Sequence, residues 1–101
     1  MKSTAYLINV SRGVVVDEQA LIQALQEKRI AGAGLDTLDP EPPDPHNPLF
    51  TMDNVVLSPH NSSMTEEGSM MMSVITVEEV LAVLRGERPR YLANPDVYSY
   101  R

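Results

Sequence analysis

Residues 5–35 read AYLINVSRGVVVDEQALIQALQEKRIAGAGL, and this stretch decides the fold. Ala5-Tyr6-Leu7-Ile8-Asn9-Val10 is a short apolar run of strand length, the form expected of a strand buried on both faces. Ser11-Arg12-Gly13 ends it. Asp17 suits a helix N-cap and Glu18 the positive end of a helix dipole. Ala20, Leu21, Ala24 and Leu25 then recur at helical spacing, and Lys28 and Arg29 place positive charge at the helix C-terminus. Ile30–Leu35 (IAGAGL) is small and apolar, which predicts a strand that a neighbouring backbone approaches closely.

Downstream, Pro40–Pro48 holds five of the eight prolines, a composition for a surface loop or extended crossing rather than a helix or central strand. Asn54–Ser58 (NVVLS) predicts a third strand, stopped by Pro59-His60. Thr65 is the expected N-cap of a long helix, with Glu66 and Glu67 in its first turn and Met71, Met72, Ile75, Val80, Leu81 and Leu84 along one apolar side. Gly86 and Pro89 are its stop signals, and residues 86–101, with Tyr91, Tyr98 and Tyr100, predict an extended tail. Strand, helix, strand, loop, strand, helix is an α/β order that favours a parallel sheet. Three strands leave two edges, at least one of which should pair with something outside these residues.

Composition bounds the function. At 101 residues the chain is one small domain or part of a larger one, and 43% hydrophobic residues is a globular composition. Eight Lys plus Arg against fourteen Asp plus Glu give a formal charge of −6, which repels nucleic acid backbones. Zero cysteines exclude disulfides and thiolate metal sites. Met1-Lys2-Ser3-Thr4 opens no signal-peptide pattern, and no apolar run approaches the roughly 18 residues of a membrane span. A cytoplasmic protein is expected.

Chemistry-bearing groups follow the ends of all three predicted strands: Arg12, then Asp36 and Glu41, then His60. Ligands of open parallel sheets bind beyond the carboxyl ends of the strands. Taken singly, the Arg reads as a surface charge, the Asp as a turn former, and Glu41 and His60 as exposed loop residues, as does His46. Together they suit acid–base chemistry on a small anion. Arg binds a carboxylate through two parallel hydrogen bonds, and an imidazole beside a carboxylate is oriented for proton transfer. Met70-Met71-Met72 reads as adaptable packing rather than a ligand site. No Gly-x-Gly-x-x-Gly, Walker-type, Gly-x-Ser-x-Gly or His-Glu-x-x-His motif occurs, and the glycines of IAGAGLD follow a helix with the wrong spacing for a phosphate loop.

LINVSRG, then VVDEQALIQALQEKRIAGAGLD, DPEP and NPLFTMDNVVLSPHNSSMTEE, resemble in order and spacing the C-terminal signature of the D-isomer-specific 2-hydroxyacid dehydrogenases. The resemblance covers residues 1–85, with a less distinctive tail over 86–101. It implies the second half of a Rossmann-like, doubly wound dinucleotide-binding domain with a long C-terminal helix. It further implies a cofactor, NAD or NADP, and a small 2-hydroxy or 2-keto acid substrate. Arg12 then corresponds to the Arg that binds the substrate carboxylate, Glu41 to the carboxylate partner of the imidazole, and His60 to the acid–base group. Val10, Ser11 and Asp36 correspond to positions beside the nicotinamide, and Ser62 and Ser63 lie in the matching stretch after the His. The family's glycine-rich loop, ribose-binding acid and most of its substrate domain have no counterpart here. The expected setting is therefore a homodimer or docking to an N-terminal portion. Two alternatives remain open: a non-catalytic remnant acting as an oligomerisation or partner-binding module, and a split enzyme completed by a separately encoded half.

Overall fold

Asn9, Leu35 and Leu57 stand in one row across a three-stranded parallel sheet, in a computed structural model that describes residues 1–100. The strands are β1 (Tyr6–Asn9), β2 (Gly32–Leu35) and β3 (Val55–Leu57), in spatial order β1-β2-β3. Because that row is the carboxyl end of every strand, the segments starting at residues 10, 36 and 58 leave the sheet along a single edge. The expected parallel α/β architecture is what forms. Two units compose the chain, Met1–Ser62 and Ser63–Arg101.

In the first unit, helix α1 (Glu18–Gln26) links β1 to β2. Asp17 caps it as expected, its Oδ1 accepting the Ala20 N–H at 3.0 Å. Leu21, Ile22 and Leu25 bury against Ile30, Ala33 and Leu35, and Leu49 of a 3-10 turn at Pro48–Thr51 closes the core. Ala20 stays exposed, so the buried stripe is one residue narrower on that side and gains Ile22 instead. Lys28 does more than place charge at the helix end. It adopts φ +54, its N–H reaching the Leu25 carbonyl while the Arg29 N–H reaches that of Ala24. This is the left-handed cap usually built on glycine.

Glycine at position 32 answers a close approach: a Cβ there would lie 2.5 Å from the Asn54 carbonyl oxygen. β1, by contrast, is not buried on both faces. Tyr6 and Ile8 are 67% and 66% exposed, and Val56 of β3 is 74% exposed. Within this unit α1 covers one face of the sheet only, so the apolar run reflects a face that nothing in residues 1–62 covers.

The second unit holds helix α2 (Glu66–Leu84) and a 3-10 segment at Pro95–Tyr100. Thr65 caps α2 as expected, accepting the Gly68 N–H at 2.9 Å. Gly86 ends it at φ +74, with the Gly86 and Glu87 N–H groups reaching the carbonyls of Val83 and Ala82. No residue of α2 is buried. Its apolar side chains are not confined to one side: Met70, Met71, Met72, Val74, Val77 and Val83 are exposed around the whole circumference. The tail is not wholly extended, because Pro95 has the fixed φ of a first helical residue and Asp96 suits the first turn. Arg101 lies outside the described residues.

Candidate active site

The turn after β1 presents Arg12. Asn9, 5% exposed, ties that turn down from below: its Oδ1 accepts the Ser11 N–H (3.1 Å) and Oγ–H (2.8 Å), and its Nδ2 donates to the Arg12 carbonyl (2.8 Å). The guanidinium donates from Nη1 to the Ser11 carbonyl at 2.7 Å, and the same nitrogen stands 3.4 Å from Nε2 of His60. Val10, 60% exposed, and Ser11, also exposed, lie on the open edge beside it.

His60 arrives from β3 in the left-handed region, φ +55, a conformation that costs a non-glycine residue on the order of 1 kcal/mol or more. Asp36 holds it there. The Asp36 carbonyl accepts the His60 N–H at 2.9 Å. Its Oδ1 accepts the Ser58 hydroxyl (2.6 Å) and the N–H groups of Asn61 (2.9 Å) and Ser62 (3.1 Å), while Oδ2 shares the Ser62 N–H (3.1 Å). The Ser58 hydroxyl chiefly, with further bonds from Ser62 and Asn61, holds the Asp36 carboxyl far below the usual carboxylate range despite burial.

Glu41 completes the group from the proline loop. Its Oε2 lies 2.9 Å from His60 Nδ1, and its Oε1 accepts the Leu38 N–H at 3.2 Å. The hydrogen bond to His60 is the main reason its carboxyl sits below the usual range. An ionised Glu41 can only accept, so the neutral imidazole carries its proton on Nδ1. Nε2 is left as the exchangeable position, facing Arg12. His60 and Glu41 are both half-exposed, and an imidazole oriented by a carboxylate with a guanidinium across the ring is an arrangement that can transfer a proton next to a bound anion.

A sequence model of the D-isomer specific 2-hydroxyacid dehydrogenase NAD-binding domain matches residues 1–62. The chain belongs to this dehydrogenase family. It is 50% identical over all 101 residues to a glyoxylate reductase of Thermofilum pendens and 48% identical to one of Korarchaeum cryptofilum, covering 30% of each. A D-isomer specific 2-hydroxyacid dehydrogenase of Lactobacillus delbrueckii ssp. bulgaricus, solved with NAD, superposes with TM-score 0.70 at 44% identity, over 89% of this chain and 31% of that one. A family enzyme of Xanthobacter autotrophicus, solved with NADPH, gives TM-score 0.74 at 39% identity, over 89% and 36%. The chain thus spans about 30% of the length of the curated relatives it matches.

At this sheet edge Arg12 and Glu41 stand on either side of the His60 ring. Asp36 meets them differently, its carboxylate turned inward to clamp the His60 turn and leaving spare acceptor capacity on Oδ2. Ser62 contributes its backbone N–H to that clamp, while Ser63, exposed, opens the second unit. Asn9 and Ser58 were not singled out by sequence reasoning. For Asn9 a signal existed: a polar residue inside an otherwise apolar strand must find partners once buried. Ser58, a hydroxyl before Pro-His, carries no comparable mark. An open recess of about 480 Å³ lies on the Glu41 side of the imidazole, lined by Leu38, Pro42, Pro43, Phe50 and Leu57. Among the described residues no cluster of three or more His, Cys, Asp or Glu could hold a metal, and no helix is long and apolar enough to cross a membrane.

Proposed function

We propose that residues 1–85 form the C-terminal part of an NAD(P)-dependent oxidoreductase that interconverts a D-2-hydroxy acid and its 2-keto acid. The observation that carries this reading is the Arg12–His60–Glu41 arrangement on the carboxyl edge of a parallel sheet. Arg12 binds the substrate carboxylate and polarises the keto oxygen. His60 holds the transferable proton at Nε2: it donates to the keto oxygen in reduction and takes a proton from the hydroxyl in oxidation. Glu41 fixes the ring orientation through the bond to Nδ1. The residues present fit the nicotinamide end of a dinucleotide, since Val10 offers an exposed apolar surface, Ser11 and Ser62 polar groups, and Asp36 Oδ2 an acceptor. Ser63 follows them in the chain. A nicotinamide held there would supply or accept hydride at C4. The phosphate-binding segment is not within these 101 residues.

The uncovered sheet face favours a second reading of the 101 residues by themselves: a non-catalytic module that oligomerises or docks. One experiment separates the two. The chain is grafted in place of the matching 30% of the Thermofilum pendens relative, and NADH oxidation is followed with glyoxylate and hydroxypyruvate. Turnover that His60→Ala lowers by about 10²–10⁴-fold supports the catalytic reading. A folded, NADH-binding chimera with no turnover, or turnover indifferent to His60→Ala, overturns it.

A further inference from the structure

Asn9 has no part in the reading above, yet it is the buried polar residue of β1 and spends its whole side chain on the Arg12 turn. Its Oδ1 holds Ser11 by two donors, and its Nδ2 holds the Arg12 carbonyl. Ser11 in turn accepts the guanidinium at its carbonyl, so the head group of Arg12 is fixed through a residue that Asn9 has already fixed. The Asn9 carbonyl accepts the Asp36 N–H at 2.9 Å, and the Asp36 carbonyl accepts the His60 N–H at 2.9 Å. Backbone bonds therefore run from the Arg12 turn, through the ends of β1 and β2, to the His60 turn.

We propose that Asn9 is the positioning residue for Arg12, setting the guanidinium opposite His60 Nε2 before any substrate carboxylate arrives. The inference rests on the proposed role of Arg12, and it adds the reason that Arg, with a long flexible side chain and an exposed position, is held ready. A short Asx turn alone needs only the Oδ1 acceptor. The Nδ2 bond to the Arg12 carbonyl is the additional element, and it separates positioning from mere turn formation. Asn9→Asp keeps the acceptor for both Ser11 donors but sets a carboxylate oxygen against the Arg12 carbonyl, where a donor stood at 2.8 Å.

The test uses the chain for structure and the chimera for kinetics. In Asn9→Asp with an unchanged melting temperature, the heteronuclear NOE of the Arg12 Nε–H should fall by about half or more. In the chimera the KM for glyoxylate should rise about tenfold or more, with kcat and the shape of its pH profile changed less. Should Asn9→Asp fail to fold, Asn9→Ser, whose hydroxyl is too short to span to the Arg12 carbonyl, gives the same two readouts. An ordered Arg12 Nε–H together with a wild-type KM in either folded variant overturns the proposal. An inactive chimera defeats the catalytic reading but not this one, because the NOE still reports whether Asn9 orders Arg12.

Discussion

Helices α1 and α2 begin and end alike but do different things in between. Each starts on a side-chain oxygen that accepts an N–H three residues on, Asp17 for Ala20 and Thr65 for Gly68. Each ends in the same pair of reversed hydrogen bonds around a left-handed residue, Lys28 in one and Gly86 in the other. Yet α1 buries Leu21, Ile22 and Leu25, while α2 buries nothing. Capping is local chemistry settled within a turn. Burial depends on what else is folded nearby, so identical ends say nothing about how much a helix adds to the stability of its unit.

The largest effect should come from deleting contacts on one side of the comparison only. Leu25→Ala should lower unfolding free energy by about 2–5 kcal/mol, whereas Val77→Ala, at a 58% exposed position, should stay within about 0.5 kcal/mol, both read by urea denaturation. Equal losses would mean that α2 is buried in solution. Next come the caps. Asp17→Ala and Thr65→Ala should each cost about 1 kcal/mol, seen as faster hydrogen exchange at the Ala20 and Gly68 amides respectively. The C-terminal caps should then move in opposite directions. Lys28→Gly should stabilise α1 by roughly 0.5–1 kcal/mol, and Gly86→Ala should destabilise α2 by a similar amount, both read from thermal melts. The mildest perturbation changes no residue. A carboxyl held below its ordinary range stabilises the fold above that range, and this contribution is lost as pH falls through the lowered value. Asp36 and Glu41 are both lowered, so their hold on the His60 turn should be constant between pH 7 and 5. Below about 4, the ordinary carboxylate value, it should loosen progressively, with exchange at Asn61 and Ser62 accelerating before that in α1. Loosening as pH rises instead would contradict the clamp.

What was legible in the sequence divides along the same line. Strand order, the caps at Asp17, Thr65 and Gly86, and the proline loop depend on neighbours in the chain, and they stand where the pattern put them. Arg12, Glu41 and His60 were legible because parallel topology forces strand ends to one edge. The burial of β1, the one-sided packing of α2 and the extended tail were misjudged. Apolar character in Tyr6, Ile8 and the α2 methionines states that a surface can be covered, not that residues 1–101 cover it. Lys28 in a left-handed cap could not be foreseen, since nothing in Glu27-Lys28-Arg29 marks the position as glycine would. The inward clamp of Asp36 was hidden because its partners, Ser58, Asn61 and Ser62, lie more than twenty residues away.

Gly13 has a mechanical meaning. A Cβ on it would fall 2.2 Å from the Leu38 carbonyl, so the backbone following Arg12 rests directly on the backbone leading to Glu41. Two loops in contact with no side chain between them have no gap to close and no lever to open. The turn carrying Arg12 and the loop carrying Glu41 must therefore travel together. Any opening and closing at this edge has to happen by moving something else toward it.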